Sequence, residues 1–368
     1  MKKAVIIEQG ALLSSLGTLE QTAQSLINGT SAIQPGPCFE IPVASAPFTD
    51  TALRIPENCF PRLLETSIDL QPYRNERILF IYAAAKGDIR ALEPTVLPET
   101  ASLPSPLLVD QAHRIIRILG LNPLRTEIIS NACASGIVAV AVAKLLLENG
   151  IFSTAVIAGF DVISHFVTGG FHSLGALSPT GPRPFDCRRD GLSLGDGAAI
   201  AVLRYREPGT GDIIVAGADQ SNDANHRTGP SRTGEGLYLA ARGALENAGI
   251  TPDLIGAVKC HGTATPYNDA MEAKAVNLLF DNAPPPCFSV KGGIGHTSGA
   301  GSLIEILLSA RFIRRRTAPP TIRFSEPDPE AVLPVTAGAR IFSQPSMLCL
   351  SAGFGGLNAA AVLSEAAV

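Results

Sequence analysis

Apolar residues recur along this chain with two periods, and their alternation outlines the fold. Short runs rich in Val, Ile and Ala read as buried strands: the opening Met1–Ile7, then Arg77–Ala84, Thr126–Ile129, Ala155–Ala158 and Ala198–Tyr205. Helical spacing predicts helices over Leu19–Ile27, over Val109–Leu119 and through the almost unbroken apolar run Ile137–Leu147. Arg206-Glu207-Pro208-Gly209-Thr210-Gly211 is a turn, after which the alternation starts again. Strands are expected at Ile213–Ala216, Ala257–Cys260, Cys287–Val290, Met347–Ser351 and Ala359–Leu363, with helices at Gly236–Asn247, Ala270–Phe280 and Ser302–Ile313. Strand-helix alternation of this kind predicts an α/β molecule with buried, largely parallel sheets. Three stretches carry no clear period: the Pro-rich residues Ile33–Arg62, the Pro-rich loop Glu93–Leu107, and the Gly- and Ser-containing segment that ends at Pro184.

The halves 1–207 and 208–368 also resemble each other. Glu127-Ile128-Ile129 precedes a small-residue loop and an apolar helix, and so does Cys287-Phe288-Ser289-Val290. A duplication would set the two strand ends back to back and bring both loops to one site.

Composition narrows the classes. The chain has 368 residues, 46% of them hydrophobic, enough for two ordinary domain-sized units with a sizeable core. A net charge of −4 gives no case for a nucleic-acid or membrane-surface protein. Seven cysteines, with no CxxC pair and no metal-ligand spacing, fit a reducing compartment and predict no metal centre. The apolar start is broken at once by Glu8, Gln9 and Gly10, so it reads as a strand and not as a signal peptide. The most apolar helix is interrupted by Lys144 and is too short for a membrane span. The expectation is a soluble cytoplasmic protein.

Ser130-Asn131-Ala132-Cys133-Ala134-Ser135-Gly136 puts a cysteine at a strand-to-helix junction. There the helix N-terminus is expected to favour a thiolate and make Cys133 a nucleophile, although a lone cysteine is more often a core residue. His261 follows the strand Ala257–Cys260 and precedes Gly262, Thr263 and Thr265, a position where ligand sites form in open α/β sheets. Lys291-Gly292-Gly293-Ile294-Gly295-His296 repeats that arrangement, and its glycines allow a ligand close to the backbone. Neither GxxxxGK[ST] nor GxGxxG spacing is present, which argues against a nucleotide. Gly353-Phe354-Gly355-Gly356 reads as a turn presenting backbone amides, or simply as a hairpin turn.

Together, NACASG at Cys133, HGTATPYND at His261, KGGIGH from Lys291 to His296 and GFGG at Phe354 resemble the β-ketoacyl-acyl carrier protein synthases, elongating condensing enzymes of the thiolase superfamily. Pro184-Phe185-Asp186, Arg189-Asp190-Gly191 and Gly195-Asp196-Gly197 are similar to that family's PFD-x-x-RDG-x-x-x-GEG stretch, and the likeness spans about residues 125 to 365. The resemblance implies a five-layered αβαβα thiolase-like fold, a homodimer or a heterodimer with another ketosynthase-like subunit, and acyl carrier protein as partner. It implies no cofactor beyond the phosphopantetheine carrying the substrate. Cys133 would take the acyl group as a thioester, and malonyl carrier protein would lose carbon dioxide and attack it. His261 and His296 would bond the malonyl thioester oxygen, and the amides of Cys133 and Phe354 would form the oxyanion hole, with Phe354 also the acyl gate. Lys291 would be the site lysine with Glu272 its partner, and Thr263 and Thr265 would contact the phosphopantetheine arm.

Enzymes of the superfamily that start from acyl-CoA usually carry Asn where His296 stands, and thiolases use a second cysteine. Cys133 also comes earlier along the chain than in the elongating enzymes, which leaves a second reading, a partner subunit of a ketosynthase heterodimer with little turnover of its own. A CoA-linked acyltransferase or hydrolase is a third reading, which His296 opposes. Arg311, Arg314, Arg315 and Arg316 form a basic cluster suited to an acidic carrier protein or to a solvated helix end.

Overall fold

The computed structural model describes residues 3–93 and 105–366. Of the excursion expected over 93–107, residues 94–104 lie outside the described residues. The first half contributes strands β1 (Ala4–Ser14), β2 (Ile78–Ala83), β3 (Arg125–Ile129), β4 (Thr154–Asp161) and β5 (Gly197–Arg206). The second contributes β6 (Ile213–Asn222), β7 (Ile255–Lys259), β8 (Cys287–Phe288), β9 (Ser346–Gly353) and β10 (Leu357–Glu365).

All ten lie in one hydrogen-bonded path, ordered β3-β2-β4-β5-β1-β6-β10-β9-β7-β8. Within the first half, β3, β2 and β4 are mutually parallel while β5 and β1 run antiparallel to their neighbours. The second half repeats this: β8, β7 and β9 are parallel, and β10 and β6 are antiparallel to theirs. The halves meet where Ile6 of β1 pairs with Ile214 of β6.

Alternation along the strands makes the layers. Leu79, Ile81 and Ala83 of β2 point into a central core shared with helices α4 (Ser135–Glu148) and α9 (Ser298–Arg314), while Ile78, Phe80 and Tyr82 point the other way. The outer residues are covered by α2 (Pro56–Ser67) and α3 (Leu108–Leu119). In the second half Ala257, Met347 and Cys349 face the same central core, and Val258, Leu348 and Leu350 face α6 (Glu235–Ala248) and α7 (Pro266–Leu279). Helix α1 (Leu19–Ile27) joins the central layer through Leu19, Ala23 and Leu26. Helices, sheet, helices, sheet, helices is the αβαβα order that the resemblance implies.

Helices α2, α5 (His165–Ser173) and the single turn α8 (Lys291–Ile294) were not expected. α2 forms although Pro61 lies inside it, because Cys59, Phe60 and Leu63 are buried against the first sheet, and burying each large side chain is worth ~1.5–3 kcal/mol. α5 forms despite Gly169 and Gly170, with Ser164 Oγ accepting the Val167 amide at its start. The strand expected over Cys287–Val290 is only Cys287–Phe288, since the chain turns at once into the short helix α8. Among the described residues, no helix is long and apolar enough to cross a membrane.

Candidate active site

Cys133 stands in the tight turn between β3 and α4. Ala132 before it adopts φ 48°, a left-handed conformation that a residue with a Cβ takes at a cost. Ser135 holds the turn: its Oγ accepts the Asn131 amide at 2.9 Å and donates to the Ala132 carbonyl at 2.7 Å. The amides of Gly136 and Ile137 donate to Ser302 Oγ of α9, at 2.9 and 3.3 Å. That leaves less of the helix end free to act on sulfur.

Gly136 is where the central helices touch. A Cβ there would come to 2.1 Å from the Leu303 amide nitrogen, so only glycine lets α4 approach α9 this closely.

From the second half, β7 ends one residue before Cys260, and the chain then turns at His261 and Gly262. Both oxygens of Glu272, buried on α7, accept there, one from the His261 amide and one from the Gly262 amide at 2.8 Å. One turn earlier on α7, Asp269 accepts the amides of Ala264 at 3.2 Å and Phe185 at 2.7 Å. His296 follows α8, fixed by its amide on the Ser193 carbonyl at 2.7 Å.

His296 Nε2 lies 2.9 Å from Cys133 Sγ, and the two imidazole rings stand edge-on with centroids 5.4 Å apart. Lys291 Nζ donates to the His261 carbonyl at 2.7 Å and approaches His261 Nδ1 at 3.4 Å. Ser351 Oγ of β9 donates to the Cys133 carbonyl at 3.1 Å and lies 3.5 Å from His261 Nδ1.

Lys291 does not pair with Glu272 as expected. Its ammonium is held by Glu305 of α9, whose other oxygen binds Lys259, and Lys259 also donates to the Leu350 carbonyl at 2.7 Å. Glu272 is committed to two backbone amides, so its role is to shape the loop. Glu305 and Lys259 were missed. Their signal was a lone acid inside the apolar run Ser302–Ile313 and a lone base at the end of a buried strand, but local sequence does not say which charges meet.

The electrostatics are dominated by burial. Burial pushes the Cys133 thiol up to about 12, with Lys291 pulling it back. The thiolate expected from the helix end is therefore not the resting form, although the half-buried cysteine opens into the cavity described below. Burial, then the positive charge of Lys291, lowers His296 to about 3 and His261 well below its ordinary value. Both rings are neutral at pH 7. Burial raises Glu272 to about 7 against the two amides it accepts. Burial would raise Glu305 as well, but Lys259 and Lys291 hold it below the ordinary value.

Cys133, His261 and His296 line a cavity of about 410 Å³, together with Thr263, Thr265 and Phe354 among others. The Thr263 and Thr265 hydroxyls are 3.0 Å apart. Phe354 lies in the hairpin turn between β9 and β10 and packs on Phe171 of α5 at 5.3 Å between centroids. Sulfur and one nitrogen of each histidine lie within 4.8 Å of one another, close enough for three ligands of one cation. The 2.9 Å contact of Nε2 with Sγ is that of a hydrogen-bonded pair, shorter than two ligands around a zinc ion would stand. A polarisable nucleophile beside two neutral imidazoles, with backbone amides near, suits acyl transfer through a covalent thioester.

The PFD-like stretch braces this site more than it lines it. Asp186 accepts the amides of Arg188, Ser325 and Glu326, Arg189 pairs with Asp328, and Asp196 accepts the amides of Phe48 and Ile163. Asp190 alone of these reaches the cavity. The basic cluster is elsewhere: Arg311 and Arg315 pair with Glu20, and Arg316 with Glu365.

Residues 125–208 match the family model for the beta-ketoacyl synthase N-terminal domain, and residues 213–325 that for the beta-ketoacyl synthase C-terminal domain. The mitochondrial 3-oxoacyl-[acyl-carrier-protein] synthase of Arabidopsis thaliana is 33% identical over 254 residues, 64% of this chain and 55% of the relative. The putative polyketide beta-ketoacyl synthase 1 of Streptomyces cyaneus is 32% identical over 294 residues, 75% of this chain and 68% of the relative. The match to the Arabidopsis synthase and that to the 3-oxoacyl-[acyl-carrier-protein] synthase 2 of Coxiella burnetii span 55% and 61% of those relatives' lengths. Among solved structures, the ishigamide ketosynthase/chain length factor superposes with a TM-score of 0.86 at 25% identity, covering 100% of both chains. A beta-ketoacyl synthase from Burkholderia phymatum shares the fold at a TM-score of 0.86 and 24% identity, over 99% of this chain and 100% of that one. Two matched domain models, a relative aligned over most of both chains and the meeting of Cys133 with two histidines agree: this chain belongs to the β-ketoacyl synthase family.

Proposed function

We propose that this protein catalyses a decarboxylative Claisen condensation, joining an acyl group held on Cys133 to a malonyl unit on acyl carrier protein to give 3-oxoacyl-acyl carrier protein. The observation that carries the reading is the approach of His296 Nε2 to Cys133 Sγ with His261 beside them in the cavity wall. In the first step sulfur attacks the acyl carrier thioester, its proton passes to the departing phosphopantetheine thiol, and an acyl-sulfur bond forms. Malonyl carrier protein enters next, its carboxylate leaves as carbon dioxide, and the electron pair from the broken carbon-carbon bond delocalises onto the thioester oxygen. Neutral imidazoles at His261 and His296 suit hydrogen bonding to that oxygen. The enolate carbon then attacks the Cys133 thioester carbonyl, and the amides of Cys133 and Phe354 are the proposed donors to the resulting oxyanion; its collapse breaks the acyl-sulfur bond, releases the 3-oxoacyl carrier protein, and returns Cys133 as a thiol with a proton taken from solvent.

Thr263 and Thr265 at the cavity wall suit the amides of the phosphopantetheine arm, which is the only prosthetic group the reading requires. Lys291 holds the His261 loop. The partners are acyl carrier protein and a second ketosynthase-like subunit, identical or not, and the free cysteines of the described chain support a cytoplasmic setting. The pathway is fatty-acid or polyketide assembly. A second reading is favoured by the superposed ketosynthase/chain length factor: a partner subunit with little activity of its own.

The test is intact-protein mass after incubation with carrier proteins loaded with acyl groups of several lengths. An acyl adduct on the wild type that is absent from Cys133→Ala, followed by product formation with malonyl carrier protein, is the expected result. No adduct from any carrier favours the partner subunit.

A further inference from the structure

Lys259 stands two residues before His261 and is fully buried, as are Lys291 and Glu305 almost completely. Two ammonium groups therefore share one carboxylate: Glu305 bonds Lys259 through one oxygen and Lys291 through the other. A buried pair is normally balanced, one charge against one, because an unmatched ion in the interior is costly. Here the three groups sum to one positive charge. We propose that Lys259 is a positioning residue of the active site, a second buried cation that holds Glu305 against Lys291 and supplies a positive field behind the Cys133-His261-His296 cluster.

The proposal rests on the condensation proposed above, in which sulfur, then the thioester enolate, then the tetrahedral oxyanion each carry negative charge in the same small volume. A fixed cation that cannot be screened by water favours every one of those states over its neutral precursor. Lys259 does not touch the cavity, so it acts through the field and through Glu305, never by contact with substrate. The charged and titratable groups around it are Glu305 on α9, Lys291 on α8, Glu272 on α7, Cys349 on β9, Cys260 next to it in the chain, and His261 and His296 on the loops. Around Cys133 itself the facing charges are Lys291, Asp161 and Glu305. Positive charge at Lys259 lowers both imidazoles, after burial and Lys291, and so helps to keep them neutral hydrogen-bond donors.

Lys259→Gln separates charge from hydrogen bonding, since it removes the charge and leaves a donor on a side chain one atom shorter. The readout is the rate of Cys133 alkylation by iodoacetamide between pH 7 and 10, followed by intact mass, with Cys133→Ala marking the adduct. Lys259→Gln is expected to slow alkylation roughly 5–10-fold at a given pH and to displace the whole profile to higher pH. Lys259→Arg, which keeps the charge, is expected to restore it, and Lys259→Met to match the Gln variant. Superimposable profiles for wild type and Lys259→Gln, or for Lys259→Met where the Gln variant does not fold, would overturn the proposal. So would a displaced profile that the Arg variant leaves displaced. Alkylation needs neither carrier protein nor turnover, so a failed acyl adduct in the wild type sinks the condensation without touching this result. In an enzyme that does condense, the acid limb of the malonyl decarboxylation profile is expected to move upward in Lys259→Gln.

Discussion

Burial and the charge of Lys291 pull the Cys133 thiol in opposite directions, and burial, helped by Asp161 and Glu305, wins. Its alkylation is therefore expected to keep accelerating through the alkaline range, toward a value of about 12; a plateau below pH 8, read by intact mass, would mean a resting thiolate. Glu305 sets the second test at this scale. Removing its charge in Glu305→Gln strands two buried ammonium groups, at an expected cost of about 3–5 kcal/mol in urea unfolding. Since its folded carboxyl titrates below the ordinary 4.5, the stability it contributes is complete above that value and is lost as pH falls through the lower one. The wild-type urea midpoint should fall in that acid window, and the variant, already weaker, should fall less.

Helices α4 and α9 come into backbone contact at Gly136, which makes their crossing sensitive to a single carbon. Gly136→Ala would push a methyl onto the Leu303 amide, and a loss of about 1–3 kcal/mol is expected from denaturant unfolding, with slower Cys133 alkylation at any pH. Gly353, in the hairpin before Phe354, makes a contrasting case. A Cβ there lies 3.2 Å from the Cys133 amide nitrogen, near a proposed oxyanion donor but without severe overlap. Gly353→Ala is expected to keep the melting temperature within a few degrees while acyl loading slows about 10–100-fold. Elements with a strong period were legible in sequence, because strands such as β2 and β4 are buried on both faces and read as unbroken apolar runs. α2 and α5 were not, since Pro61 and the Gly169-Gly170 pair spell interruption locally and only the sheet and loops they pack on hold them helical. The candidate site residues Cys133, His261 and His296 were legible because each sits in a compact local string. The partner of Lys291 was not: Glu305 reaches it across the central layer, and no spacing rule separates it from Glu272.

Across the whole molecule, ten strands make two copies of one topology, but the central helical layer belongs to both. Residues 1–207 or 208–368 expressed alone would leave the apolar faces of α4 or α9 uncovered. Each is expected to bind a hydrophobic dye such as anilinonaphthalene sulfonate and to melt without a sharp transition; cooperative melting of either fragment would show that the halves are independent units. The site straddles the same seam, with sulfur from one copy and both imidazoles from the other. This has a consequence for the order of synthesis. Cys133 leaves the ribosome long before His261, Lys291, His296 and the helix carrying Glu305, so for most of translation its sulfur is an ordinary cysteine with no acyl-accepting surroundings. On the condensation proposed above, capture of an acyl group would be a timestamp of completed folding: a nascent chain, or one broken before α9, would pass its carriers by without being loaded.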